Sequence, residues 1–300
     1  MIKIPYACII LLHTGLLVSQ VNFNDSIPSV VKNASVVRLA SDYLFTEGPA
    51  SDKSGNVFFT DQPNDRILKW TAIDGTITEW MKPCGRSNGL YFDSKGNLVA
   101  CADEHNQLWS IDINKKSTIL IKEFDGKIFN GPNDLWIDKK DDIYFTDPFY
   151  KREYWDHSES ELKVMRVYFY NKLTGKTSVA AEDFRQPNGI VGSKDGRKLY
   201  IADIGAWKTY VFDITKNGKL VNRKLFCSQG SDGMTTDEKG NVYLSGRGVT
   251  VYDKSGKRLG NIPIPEPWTA NLTFGGKDKK TLFITASKSV YTLAMKIKGA

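Results

Sequence analysis

Glu47-Gly-Pro-Ala-Ser-Asp-Lys-Ser-Gly-Asn-Val-Phe-Phe-Thr-Asp61 and Asp232-Gly-Met-Thr-Thr-Asp-Glu-Lys-Gly-Asn-Val-Tyr-Leu-Ser245 are two copies of one sequence pattern. In each copy a polar residue is followed, eight residues later, by the turn of a hairpin that leads into an apolar strand. The six copies along the chain begin at Glu47, Asn88, Asn133, Asn188, Asp232 and Asn271. Their turn residues are Gly55, Gly96, Asp141, Gly196, Gly240 and Lys279.

The spacing of these copies predicts the fold. From one start to the next the distances are 41, 45, 55, 44 and 39 residues. Self-similarity at about 40 to 50 residues is typical of an array of one supersecondary unit, and strand-turn-strand content favours propeller blades over helical repeats. We therefore expect an all-β fold, a six-bladed β-propeller of four-stranded blades that forms one domain over residues 34–300.

The last blade raises a question of closure. Its third strand is expected from residue 289 onward, close to the end of the chain, so its outer strand is missing. Open sheet edges are generally avoided. The apolar segment 34–40 belongs to none of the six copies. We predict that this N-terminal strand completes the last blade and closes the ring.

The N-terminal segment predicts the localisation. Lys3 is followed by an apolar run of roughly 15 residues, which fits the central region of a secretory signal better than a membrane span. Residues 1–22 are therefore interpreted as a signal peptide and the protein as secreted or periplasmic. An uncleaved anchor is the alternative. After cleavage we expect no membrane association.

Charge and cysteine content argue against a nucleic-acid-binding protein, a zinc site and a disulfide framework. The formal charge of +7 comes from 41 basic and 34 acidic residues, and the lysines are scattered singly through predicted turns, which argues against a nucleic-acid partner. Outside the signal, Cys84, Cys101 and Cys227 show no metal-ligand spacing, and three cysteines cannot all pair. We expect buried free thiols, although a bridge between Cys84 and Cys101 remains open.

The six starting residues are the candidate functional site, because radial blades bring them together at the axis. They comprise one Glu, four Asn and one Asp. Such oxygen donors suit a hard divalent cation, with Ca²⁺ favoured over Zn²⁺, Mg²⁺ or Mn²⁺. Turn propensity alone explains single Asn-Gly or Asp-Gly pairs but not a polar side chain at all six positions. Glu47, Asn188 and Asp232 are the strongest predicted ligands.

The other polar residues suggest how such a site could react. A cation can acidify a bound water, and Asp232 is the candidate general base. The sequence contains no Gly-x-Ser-x-Gly motif and few histidines, so covalent catalysis is not expected. His105 lies in a loop of blade 2, where a structural role and a substrate contact both remain open. An aromatic and charged insertion, residues 148–163, is expected between the second and third strands of blade 3, where a place on the binding face and a solvated loop without a role both remain open.

Five ordered motifs resemble those of the SMP-30/gluconolactonase/luciferin-regenerating-enzyme family, over roughly residues 40–296. They are Phe45-Thr-Glu-Gly-Pro49, Phe129-Asn-Gly-Pro-Asn-Asp-Leu135, Ile143-Tyr-Phe-Thr-Asp-Pro148, Gln186-Pro-Asn-Gly-Ile190 and Ser231-Asp-Gly-Met234. The resemblance implies a six-bladed propeller and a gluconolactonase-like hydrolase that opens a sugar lactone with one divalent metal ion. It also implies a small-molecule lactone as the partner. We expect the protein to act as a monomer.

The resemblance also assigns roles to individual residues. It implies metal binding by Glu47, Asn188 and Asp232, with Asp232 as base, while Asn133 matches an asparagine that binds substrate or completes the metal shell. Some sugar lactonases in this family carry an arginine two residues before that asparagine, where this chain has Gly131. Residues close in sequence are candidate replacements for substrate binding: Asn130, Tyr150 and Trp155.

Two other functions remain open at this point. A phosphotriesterase-like hydrolase would use the same metal site. A non-catalytic binding propeller would use the metal only to brace its channel.

Overall fold

The computed structural model describes residues 18–19 and 27–300. Six antiparallel sheets stand in a ring, so the predicted six-bladed β-propeller with four strands per blade is confirmed. Residues 1–22, the predicted signal peptide, lie outside the described residues except for the two-residue strand Val18–Ser19. Within the described part of the chain, no helix has the length and apolar character needed to cross a membrane.

Each blade runs from an inner strand at the axis to an outer strand at the rim. The strands of blade 1 are Thr46–Ser51, Val57–Asp61, Arg66–Trp70 and Ile77–Met81. Those of blade 2 are Ser87–Phe92, Leu98–Ala102, Gln107–Ile111 and Ser117–Ile121. Those of blade 3 are Leu135–Ile137, Ile143–Asp147, Arg166–Asn171 and Lys176–Ala181.

The second half of the ring continues in the same order. Blade 4 consists of Pro187–Gly192, Lys198–Asp203, Lys208–Ile214 and Leu220–Cys227. Blade 5 consists of Met234–Thr236, Val242–Leu244, Val249–Tyr252 and Arg258–Ile262. Blade 6 consists of Thr269–Gly275, Thr281–Ala286 and Ser289–Ala294, followed by the N-terminal strand Val36–Ala40. Minor elements are the hairpin Glu123–Phe124 with Lys127–Ile128 and the 3-10 turns Gln62–Asn64 and Asp103–His105.

The N-terminal strand closes the ring as the strand count predicted. Val36–Ala40 pairs antiparallel with Ser289–Ala294, with Val37 opposite Thr292. An additional bridge joins Val30 to Met295. The first and last parts of the propeller are therefore held together by a β-ladder within one blade.

The eight-residue spacing is explained by backbone conformation. All six turn residues have a positive φ, between 58° and 88°. Four of them are glycines, which adopt this conformation without a Cβ penalty, and the other two are Asp141 and Lys279. Because the turn fixes the register of each hairpin, the residue eight positions earlier always lies at the inner end of a blade.

Apolar side chains fill the spaces between adjacent blades. The second strands are almost completely buried, and Phe59, Phe145 and Phe283 have no exposed surface. The three cysteines, Cys84, Cys101 and Cys227, are buried free thiols. The inner strands contact one another in cyclic order, so together they surround the axis of the ring.

Candidate active site at the propeller axis

We call the six starting residues the axial residues. Buried aspartates hold the backbone segments that precede three of them. At the end of a second strand, Asp61 Oδ1 accepts hydrogen bonds from the backbone N–H groups of Leu44 and Phe45. Asp147 binds the N–H groups of residues 130 and 131 in the same way, and Asp203 binds those of residues 185 and 186. The N–H groups that these aspartates bind lie two or three residues before an axial residue. The aspartates therefore position the site rather than contribute to its chemistry.

The axial residues do converge. Asn271 in blade 6 donates from Nδ2 to Asp134 Oδ2 in the opposite blade 3, at 3.4 Å. Glycines beside the axial residues permit this crowding, because a Cβ on Gly48 would lie 2.0 Å from the carbonyl oxygen of Asn88. The inner strands therefore meet closely enough for side chains from opposite blades to touch.

Asn188 and Asp232 form the centre of the candidate site. Asn188 Nδ2 donates to Asp232 Oδ1 at 2.8 Å and to the hydroxyl oxygen of Tyr150 at 2.9 Å. The second oxygen of Asp232, Oδ2, accepts a hydrogen bond of 2.7 Å from the indole N–H of Trp268. Both oxygens of Asp232 are thus oriented by donors.

Glu47 is the second carboxylate of the site. It is 4% exposed, and its Oε2 accepts a hydrogen bond from the N–H of Gly48 at 3.0 Å. Burial raises the pKa of Glu47 well above its usual value, and the nearby negative charge of Asp232 raises it further. Burial likewise raises the pKa of Asp232 to about 6, against the lowering effect of its hydrogen bonds from Trp268 and Asn188.

One atom of this cluster lacks a partner. The side-chain oxygen Oδ1 of Asn188 is buried and has no hydrogen-bond partner among the described residues. Leaving such an acceptor unsatisfied costs about 1–3 kcal/mol unless a ligand occupies it. An amide oxygen without a partner, on a side chain that contacts the Asp232 carboxylate, fits a hard divalent cation.

The predicted ligands of the cation carry few formal charges. Across residues 18–19 and 27–300, no three His, Cys, Asp or Glu side chains form a group that could hold a metal ion. Among the predicted ligands only Glu47 and Asp232 supply formal charge, so a cation here would also depend on Asn188 and on the remaining amides. Oxygen-only coordination of this kind suits Ca²⁺ better than Zn²⁺.

Asn133 lies at the inner end of blade 3, as its place in the repeat predicted. Its N–H donates to the carbonyl oxygen of Thr146, and its own carbonyl accepts from the N–H of Gly89, which links blades 2 and 3. Within the described residues its side-chain amide makes no recorded hydrogen bond, so this amide remains available to a ligand at the axis.

The predicted substrate-binding residues occupy different environments. Tyr150 contacts Asn188 and therefore belongs to the axial cluster. Asn130 braces the insertion instead, because its Nδ2 donates to the carbonyl oxygens of Asp147 and Val164. His105 stacks on the ring of Trp109, away from the axis, in an outer groove of about 650 Å³ between blades 1 and 2.

Sequence reasoning missed three residues of this region. Asp134 is buried, and burial raises its pKa to about 7. It stands where four of the six copies have glycine, and that exception was visible in the sequence. Trp268 lies in a loop for which the pattern gave no signal, whereas Arg152 lies in the insertion that lengthens the third interval to 55 residues, although nothing in the sequence singled out this residue.

Comparison with known proteins agrees with the architecture. Residues 45–288 match the family model of the SMP-30/Gluconolactonase/LRE-like region. The chain belongs to this family. The match covers all six axial residues, so the predicted family resemblance is confirmed.

Individual members of the SMP-30/gluconolactonase family are similar over most of their length. A gluconolactonase from Zymomonas mobilis is 30% identical over 87% of this chain and 81% of its own. The structure of a gluconolactonase from Xanthomonas campestris has a TM-score of 0.84 at 27% identity, and covers 91% of this chain and 93% of its own. A calcium-binding regucalcin from Agrobacterium tumefaciens shares the fold, with a TM-score of 0.73 at 20% identity over 88% and 94% of the two chains.

Proposed function

We propose that this protein is a metal-dependent lactonase that opens a sugar lactone to the corresponding hydroxy acid. Two family members with substantial identity over most of the chain are gluconolactonases, which supports a lactone hydrolase acting on a small molecule. The observation that supports the metal dependence is the buried Oδ1 of Asn188, which has no partner among the described residues although the same side chain contacts Asp232.

The residues that would hold the cation are Glu47, Asn188 and Asp232, with Asn133 nearby. We favour Ca²⁺, because every donor is an oxygen and two of the four are neutral amides. When bound, a divalent cation at this position would polarise the lactone carbonyl and make a coordinated water more acidic.

The protein groups would divide the remaining work. Asp232 is the proposed general base, because a pKa near 6 leaves it ionised at neutral pH yet able to accept a proton from water. Trp268 and Asn188 keep the Asp232 carboxylate in one orientation through their hydrogen bonds. The Tyr150 hydroxyl accepts a hydrogen bond from Asn188 and retains its own proton to donate to a substrate oxygen.

The test is to remove one charge at a time from the axis. Asp232→Asn and Glu47→Gln should each lower kcat/KM for glucono-1,5-lactone by about a thousandfold or more, since base or metal ligand is lost. Hydrolysis is followed by acid release, and circular dichroism checks that the fold persists. Asp253→Asn is the matched control, because Asp253 lies in an outer turn of the same blade as Asp232 and binds only local donors.

The outcome also separates the alternatives. Metal removal by a chelator should abolish acid release, and added Ca²⁺ should restore it. Near-normal lactone hydrolysis by both axial variants would refute the mechanism. Turnover of an organophosphate ester but of no lactone would identify the phosphotriesterase-like hydrolase instead, and metal-dependent melting without turnover of any ester would identify a binding propeller.

A further inference from the structure

The insertion in blade 3 folds back over blade 2 and is anchored on one buried carboxylate. This loop, residues 148–165, joins Ile143–Asp147 to Arg166–Asn171. Tyr154 donates its hydroxyl to Asp103 Oδ2, and the indole N–H of Trp155 donates to the Asp103 carbonyl oxygen at 2.8 Å. Asp103 is only 2% exposed. The loop is therefore fixed at the mouth of the ring.

The anchored loop carries a guanidinium group to the axial cluster. Arg152 Nε donates to Asp103 Oδ2 at 3.0 Å, and its Cζ lies 5.4 Å from the ring centre of Tyr150. The hydroxyl of the same Tyr150 contacts Asn188, which contacts Asp232. Two residues, Tyr150 and Asn188, thus connect Arg152 to the proposed base Asp232.

Arg152 retains donors that the protein does not use. Its side chain is 22% exposed, and the bond from Nε to Asp103 is the only hydrogen bond that the described residues make with its guanidinium. The two terminal nitrogens together carry four N–H groups.

Position 131 cannot supply such a group in this chain. Gly131 has a φ of 149°, and a Cβ there would lie 2.9 Å from the ring of Trp155 and 3.2 Å from Asp103 Oδ1. The insertion therefore occupies the space into which a side chain at position 131 would project. The same insertion brings Arg152 to Asp103 from another direction.

We propose that Arg152 is a substrate-binding residue that selects polyhydroxylated lactones by donating hydrogen bonds to a ring-substituent hydroxyl. The inference rests on the lactonase function proposed above. Because Asp103 already balances the Arg152 charge, a neutral oxygen acceptor is a better partner than an anionic group. The substrate class is thus a neutral sugar lactone, not a lactone that carries a carboxylate or phosphate.

A pair of substrates with the same ring tests this assignment. Glucono-1,5-lactone carries hydroxyl groups, whereas δ-valerolactone has the same six-membered lactone ring without them. Arg152→Met should raise KM for glucono-1,5-lactone by about tenfold or more, because hydrogen bonds to its hydroxyls are lost. The kinetic constants for δ-valerolactone should change by less than about threefold. If wild-type protein does not hydrolyse δ-valerolactone, its inhibition constant replaces KM.

Two further variants control for structural effects. Arg86→Met removes a second guanidinium of this region, which lies 4.7 Å over the ring of Tyr154, and should leave the substrate preference unchanged. Arg152→Lys keeps the charge beside Asp103 and should restore only part of the affinity, because Lys lacks the planar fork. Equal losses on both substrates, or no loss on either, would overturn the role of Arg152. Inactivity of the wild-type protein on every lactone would instead refute the proposed function.

Discussion

At the residue scale, the amide of Asn188 organises the candidate site through its two different ends. Nδ2 donates to Tyr150 and Asp232, which fixes the plane of the amide. Oδ1 is then directed to a point where the described residues offer no donor. An ionised carboxylate in place of this amide would lack the N–H donors and would place another negative charge beside Asp232.

Proton-linked cation binding follows from the two carboxylates. Burial raises the pKa of Asp232 to about 6 in the metal-free protein, and that of Glu47 lies well above its usual value. A cation binds the ionised forms, so protons compete with it below these pKa values. We expect Ca²⁺ affinity to increase as pH rises from 5 to 7, with proton uptake by the buffer on binding. Isothermal titration calorimetry in two buffers of different ionisation enthalpy measures both quantities.

Asn188→Ala provides the matched comparison for that experiment. Both carboxylates remain, but the amide oxygen is lost, so Ca²⁺ affinity should fall by about tenfold or more. Affinity that is independent of pH in the wild-type protein, or unchanged in Asn188→Ala, would contradict the proposed donor set.

The repeat predicted the positions of the axial residues in the fold, but it did not predict which residues surround them. Glu47, Asn188 and Asp232 could be found because hairpin register repeats along the chain and places one residue of each copy at the axis. Arg152 and Trp268 could not be found, since they reach the site from loops whose path depends on tertiary contacts. Asp134 is an intermediate case, because the only sequence signal for it is an aspartate at a position where four of the six copies have glycine.

At the element scale, glycine next to an axial residue decides how closely two inner strands approach. Gly48 packs on the backbone of Asn88, and Gly233 packs on the side chain of Asn271. These contacts join blade 1 to blade 2 and blade 5 to blade 6. The glycine that follows the axial residue in four of the six copies is therefore placed where blades meet, and it is distinct from the turn residue eight positions after each start.

Alanine substitution at two glycines with positive φ, Gly48 and Gly96, distinguishes the free-energy cost of a steric clash from the cost of backbone strain. Gly48→Ala would place a Cβ 2.0 Å from the Asn88 carbonyl oxygen, whereas Gly96→Ala would meet nothing within 4 Å. We expect Gly96→Ala to cost about 1–2 kcal/mol of unfolding free energy, from the left-handed backbone alone. Gly48→Ala should cost at least about 3 kcal/mol because inner strands must move apart.

Urea denaturation measures both free energies of unfolding. Equal destabilisation in the two variants would show that inner strands can adjust at the axis and that the close contact does not limit the packing of blades 1 and 2. The comparison needs no activity assay, so it is independent of the proposed function.

At the scale of the whole molecule, closure converts six separate sheets into one ring. Counting strands predicted the closing segment, because five blades are complete in consecutive sequence and the sixth lacks one strand. The register of Val37 opposite Thr292 could not be predicted, since no hairpin turn connects these two strands. Closure therefore depends on side-chain packing, in which Val36 is 1% exposed and Ile27 and Val30 are also buried.

A chain that begins at residue 41 should leave blade 6 with an open edge. Compared with a chain that begins at residue 27, it loses the ladder to Ser289–Ala294 and the burial of Val36, Val30 and Ile27. We expect its melting temperature to fall by roughly 10 °C or more, since three buried aliphatic side chains contribute about 5–9 kcal/mol and each kcal/mol corresponds to about 2–4 °C in a domain of this size. It should also self-associate, because an unpaired edge recruits other strands.

A synthetic peptide of residues 27–40 should restore the melting temperature by strand addition, whereas a peptide of the same composition in scrambled order should not. If the shortened chain is as stable as the longer one and does not bind the peptide, the N-terminal strand does not hold the ring closed.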